Sequence, residues 1–203
     1  MRIPPDGQEK KLAESFGCTE VDILEVFKEL NAASNSGEMP EDEYLSKFYS
    51  RFSKKRPESL DEARKPFINP EIYQPVDGMQ EVVEELASNP KIKIFTLSNS
   101  IAPVAEVVRD SLLRLYPEFP PENVLISSLI GGSKAGDGKA FEELIERTGV
   151  DPKTTLFIDD DRAYSDKGRS FGLKTFQFVD EPVKGIPAVE RFRDELRKVR
   201  LLS

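Results

Sequence analysis

The stretch Leu156-Phe157-Ile158-Asp159-Asp160-Asp161 is an apolar run that ends in three carboxylates. Thr155–Ile158 predicts a fully buried strand, too short for a helix and rich in β-branched and aromatic types. Acids crowd one strand end at a cost unless a cation neutralises them. A hard divalent ion such as Mg²⁺, held by carboxylate oxygens and sharing a phosphate, suits that chemistry. A turn and helix cap built from aspartates is the plainer reading of the same residues.

Working outward from this strand, the chain divides at about Pro75. From there to the C-terminus helices and strands alternate. Helix Met79–Ala87 is followed by strand Lys91–Leu97, helix Ile101–Leu115 and strand Val124–Ser127. Helix Lys139–Arg147 comes next, then strand Thr155–Ile158, helix Ala163–Phe171 ended by Gly172, and strand Lys174–Phe178. A loop over Asp180–Ile186 leads to the last helix, Pro187–Val199. Such alternation predicts an α/β fold, a Rossmann-like and mostly parallel sheet covered on both faces, with function at the carboxyl ends of the strands. Residues 8–74 read as helices and loops only. Thr19-Glu20-Val21-Asp22 resembles a capped helix start with Ile23, Phe27 and Leu30 on one face. Asn35-Ser36-Gly37 breaks that helix, and Pro40 opens another bearing Leu45, Phe48, Tyr49 and Phe52. The basic run Arg51–Arg56 reads as a solvated helix end with aromatics behind it. The expected domains are therefore a helical unit, 8–74, and an α/β unit, 75–203.

Composition narrows the chemistry. Among 203 residues there is no histidine, which removes Ser-His-Asp and Cys-His nucleophilic systems and zinc hydrolases of the His-Glu-x-x-His kind. Catalysis must then run on carboxylates, lysine, hydroxyls and metal. The single cysteine, Cys18, excludes an internal disulfide and a cysteine-based zinc site. The first residues lack the apolar core of a secretory signal, and no run approaches the roughly 20 apolar residues of a membrane span. The expected compartment is cytoplasmic. A formal net charge of −8 argues against nucleic-acid binding.

Two further segments carry chemistry. Leu97-Ser98-Asn99-Ser100 breaks a strand into hydroxyls and an amide just before a helix, where unpaired N–H groups attract anions. A plain helix cap explains the same residues. Gly131–Lys139 is a glycine-rich loop without the Walker A register, suited to aiming one lysine, Lys134 or Lys139, at an anion. A polar loop before a helix is its bland alternative.

Taken in order, strand–Ser98-Asn99, then Lys134, then strand–Asp159-Asp160 resembles the second, third and fourth motifs of the haloacid dehalogenase-like superfamily. The segment Gly37–Tyr44 is similar to the α-helical cap that one large subgroup inserts after the first motif. The resemblance implies a Mg²⁺-dependent phosphomonoester phosphohydrolase acting on a small phosphorylated metabolite. It casts Ser98, Lys134 and Asp159 as catalytic, Ser98, Asn99 and Lys134 as phosphate contacts, and Asp159 and Asp160 as Mg²⁺ ligands. The usual Lys-Pro-Asp-Pro stands here as Lys134-Ala135-Gly136-Asp137.

The first motif, a strand ending in an Asp-x-Asp nucleophile, has no match in this sequence. Asp6 lies in a Pro-Pro-Asp-Gly turn with no strand before it, and Asp159 with Asp161 fits the fourth motif. In the family that first strand sits between those ending at Ser98 and Asp159. Its loss predicts a gap in the sheet unless neighbours close up or another segment fills in. Two explanations stay open: an N-terminally shortened phosphohydrolase, or a natural nucleophile-free relative that binds rather than catalyses. Either way, weak or no phosphoester hydrolysis is expected. A 2-haloacid dehalogenase is the lesser alternative, since carbon–halogen cleavage gains nothing from clustered acids beside an anionic substrate.

Overall fold

A computed structural model of the chain describes residues 8–182 and 186–202. Asp6 and part of the loop expected over Asp180–Ile186 lie outside the described residues. The helical unit contains α1 (Gln8–Phe16), α2 (Glu20–Asn35), α3 (Glu41–Arg51) and the short α4 (Leu60–Arg64). The α/β unit runs α5 (Met79–Ala87), β1 (Thr96–Ser98), α6 (Ala105–Leu115), β2 (Val124–Ile126), α7 (Ser127–Ile130) and α8 (Lys139–Thr148). It finishes with β3 (Leu156–Asp159), α9 (Arg162–Ser170), β4 (Lys174–Gln177) and α10 (Ala188–Lys198). None of the described helices is long and apolar enough to cross a membrane.

Local chemistry sets these boundaries. Thr19 and Asp22 form a reciprocal capping box at the start of α2. Asp161 caps α9 by accepting the Ala163 N–H at 2.7 Å. Helix α1 carries Leu12, Ala13 and Phe16 inward. Pro103 delays the helix expected from Ile101, so a 3₁₀ turn precedes α6.

The sheet is parallel, as the alternation predicts, but it comes in two halves. β1 pairs with β2 from Thr96↔Val124 to Ser98↔Ile126, and β3 pairs with β4 from Leu156↔Lys174 to Asp159↔Gln177. Among the described residues no strand joins the two pairs. Side chains bridge them instead: Leu97 packs both against Leu125, Ile130 and Leu144 and against Phe141, Phe157 and Leu173.

Two strand expectations need correction. The strand predicted over Lys91–Leu97 shrinks to Thr96–Ser98, because a strand extends only where a neighbour supplies hydrogen bonds. The Ile94 carbonyl turns to the Asn123 side chain instead, at 2.9 Å. Nor is Thr155–Ile158 fully buried. Phe157 and Asp159 point inward while Ile158 stands 37% exposed, the alternation of a strand covered well on one face only.

The helical unit packs onto the α/β unit without a seam. One cluster takes Phe16, Tyr44, Phe48 and Phe67 from the first and Val104, Val108, Leu112 and Ile126 from the second. The Ser34 hydroxyl, fully buried, accepts the Ala102 N–H at 2.9 Å. At the corner after α2, Gly37 has φ +77°, and a Cβ there would meet Gly131 Cα at 3.1 Å and Ser128 O at 3.2 Å. Beyond the end of α3, Lys54 bonds the Ser15 carbonyl at 2.8 Å and Arg56, half-buried, pairs with Asp42 at 3.0 Å.

Candidate functional site

The ends of β1 and β3 meet through one lysine. Lys134 Nζ donates to Asp159 Oδ2 at 2.6 Å, and the two side chains are only 9% and 6% exposed. A charge pair so buried is held in place by hydrogen bonds to the groups around it. Asp159 Oδ1 accepts the Asp161 N–H at 2.9 Å. The Lys134 N–H donates to Asn99 Oδ1 at 3.0 Å. Asn99 Nδ2 in turn donates to Ser133 Oγ and to the Tyr164 hydroxyl, both at 3.2 Å.

Each participant is delivered by a distinct element. Asn99 follows β1 directly, Asp159 closes β3, and Tyr164 lies in the first turn of α9. Beneath them Ser127 Oγ accepts the Ser100 N–H at 3.0 Å and donates to the Ser100 carbonyl at 3.4 Å, tying the exit of β1 to the end of β2. Lys134 arrives on the loop between α7 and α8. That loop is pressed so close to α8 that a Cβ on Gly132 would sit 2.8 Å from both Ala140 N and the Lys139 carbonyl carbon. Only glycine leaves room there, and the loop carries its lysine inward.

Of the sequence-predicted residues, Asn99, Lys134 and Asp159 are brought together. Between the two candidate lysines the structure distinguishes clearly: Lys134 is buried in the network, whereas Lys139 is exposed at the start of α8. Ser98 is half-buried as the last residue of β1. Asp160 is exposed next to Asp159, with its carbonyl accepting the Gln177 amide at 3.0 Å. Asp161 is the helix cap that the plainer reading foresaw. Ser133 and Tyr164 were not singled out in the sequence. Ser133 sits beside the lysine in a loop whose shape the sequence leaves open, and Tyr164 looks like any aromatic on a short helix.

The donor set can be tested against Mg²⁺. Among the described residues no group of three acidic, cysteine or histidine side chains is gathered to hold a metal. Two carboxylates remain, Asp159 and Asp160. Each carboxylate oxygen has two acceptor positions, so Asp159 keeps capacity beyond its bonds to Lys134 and Asp161. Mg²⁺ is usually bound by one or two carboxylates with water and phosphate completing its shell, and this set fits that habit. A groove of about 470 Å³ between α2 and α3, lined by Glu29, Lys47 and Arg51, touches none of these residues.

Comparison with known proteins gives the family and the fold. The model of the haloacid dehalogenase-like hydrolases matches residues 13–163. A HAD-like family hydrolase from Porphyromonas gingivalis is similar in fold, with 21% identity over 95% of this chain and 92% of that one, at a TM-score of 0.65. The magnesium complex of a HAD family enzyme from Bacteroides thetaiotaomicron is 19% identical over 95% of this chain and 92% of that one, with a TM-score of 0.67. The same enzyme in complex with magnesium and inorganic phosphate is 16% identical over 90% of each chain, with a TM-score of 0.65. No curated protein sequence matches the chain.

Proposed function

This chain belongs to the haloacid dehalogenase-like hydrolases, and we propose that the site around Lys134 and Asp159 is a Mg²⁺-dependent phosphate site that binds a small phosphorylated metabolite but hydrolyses phosphomonoesters weakly. The observation that carries this reading is the buried Lys134–Asp159 pair at the meeting point of two strand ends. The magnesium and phosphate complex of the Bacteroides thetaiotaomicron enzyme, similar in fold, supports the ligand class. In this reading residues 8–74 form a cap on the α/β core, 75–203.

Asp159 and Asp160 would hold the ion, whose contribution when bound is to offset the charge of a phosphoryl group. The protein's own residues do the rest. Lys134 spends one of its three ammonium donors on Asp159 and has others to direct at an anion. Ser98 offers a hydroxyl at the end of β1. Asn99, engaged through both its amide donors and its oxygen, organises the loop and holds Lys134 by its backbone.

A nucleophile is what the sequence does not supply. No apolar strand ending in Asp-x-Asp precedes the helical segment, and removing a nucleophile from a cooperative site costs on the order of 10⁴ to 10⁶ in rate.

Calorimetric titration with inorganic phosphate in Mg²⁺, beside a p-nitrophenyl phosphate assay, tests both parts. We expect phosphate binding that falls roughly thirtyfold or more in Lys134→Ala, as when one member of a buried charged contact is removed, and turnover near background. Binding indifferent to Lys134→Ala would remove the site. Robust Mg²⁺-dependent turnover that Asp160→Asn abolishes would overturn the impaired-enzyme reading.

A further inference from the structure

Lys134 is met at its two ends by two residues that are bonded to each other. Its N–H is fixed by Asn99 Oδ1 at 3.0 Å, and its ammonium lies 4.8 Å from the centre of the Tyr164 ring. Asn99 also reaches Tyr164, donating Nδ2 to the tyrosine hydroxyl at 3.2 Å. A second ring, Phe157, stands 5.9 Å from the same ammonium. Tyr164 belongs to α9, whose start is fixed by the Asp161 cap. The ring is thus pinned by the helix at one end and by Asn99 at its hydroxyl.

A lysine ammonium is a point charge on a flexible four-carbon stem. Asp159 supplies one attraction, but a single contact leaves the stem free to swing toward water. An aromatic face beside the ammonium adds an attraction from another direction, and Tyr164 is better placed than Phe157 because its ring is nearer and tethered. Resting on the phosphate-site reading above, we propose that Tyr164 is a positioning residue that holds the Lys134 ammonium against Asp159, so that the cation is in place before an anion arrives. Tyr164 acts on the anion through Lys134 and need not touch it.

The experiment uses two variants and two readouts. In protein labelled with ¹³C-lysine, the ring current of Tyr164 shifts the Lys134 ε-methylene protons upfield. We expect Tyr164→Phe to keep most of that shift and Tyr164→Leu to abolish most of it. Phosphate affinity in Mg²⁺ is expected to fall roughly fivefold to tenfold in Tyr164→Leu and less in Tyr164→Phe, in line with a desolvated cation–π contact. In a Lys134→Met background Tyr164→Leu should cause no further loss. An unmoved Lys134 resonance in Tyr164→Leu overturns the proposal, as does an equal loss of affinity with and without Lys134. If the unaltered protein binds no phosphate, the phosphate-site reading falls, and the nuclear Overhauser contact between the Lys134 ε-methylene and the Asp159 side chain, expected to weaken in Tyr164→Leu, decides the role of Tyr164: a contact of unchanged strength overturns it.

Discussion

In the helical unit Phe48 lies 5.1 Å from Phe16 and 4.8 Å from Phe67, edge to face in both cases, and Tyr44, Phe48 and Phe67 are at most 1% exposed. In the sheet β1 and β3 each have one paired neighbour among the described residues, neither exceeds four residues, and Ile158 stands 37% exposed. The contrast lies in where each kind of element finds its hydrogen bonds. Helices satisfy their own backbones, so four of them need only matching apolar faces to close. Strands depend on neighbours, and a strand paired on one side alone stops early. Completeness in the helical unit is a local property; in the sheet it is a property of what lies alongside.

Substitutions put the contrast between helical unit and sheet to the test. The largest effect is expected at Phe48. We predict that Phe48→Ala lowers unfolding free energy by about 3–5 kcal/mol in urea titration, whereas Ile158→Ser changes it by about 1 kcal/mol or less. Equal losses at the two positions would erase the contrast. Next is Lys134→Ala, which strands a buried carboxylate and should cost about 3 kcal/mol by the same measurement. Its partial recovery in a Lys134→Met, Asp159→Leu double variant would show that the pair exists for the site rather than for stability. Gly132→Ala should follow, at about 1–3 kcal/mol, because the new methyl group meets the backbone of α8. Its diagnostic is a chemical-shift change confined to the loop and Lys134.

The smallest effect lies at the start of α2. The Thr19 hydroxyl and backbone N–H hold the Asp22 carboxyl below the usual aspartate range. Since the folded value lies below the unfolded one, the contribution is present above the ordinary aspartate range and is lost as pH falls through the folded value. Thr19→Ala should therefore lower the melting temperature by about 2–4 °C at neutral pH. The difference from the unaltered protein should shrink in acid. A difference that does not depend on pH would mean that Asp22 takes no part in the cap.

How far the chain could be read from its sequence follows the same division. The acidic end of β3 was legible because three carboxylates after an apolar run demand an explanation from solvation alone. So was the Thr19–Asp22 cap, whose spacing is its own geometry. The choice between Lys134 and Lys139 was not, because it turns on how tightly Gly132 packs against Ala140. The length of β1 was illegible for a related reason: Ile92 and Ile94 have the composition of a strand, but only a neighbour could make them one. Tyr164 gave no signal, since its meaning depends on an amide 65 residues earlier.

The contact at Gly37 has a mechanical consequence. A joint is defined by its clearance, and here the clearance is less than one methyl group, backbone against backbone. A side chain between two parts acts as a bushing that yields before either part moves; this joint has none. The corner after α2 bears directly on Gly131, three residues ahead of Lys134. A load that shifts this corner must therefore carry the lysine loop with it or prise the two apart.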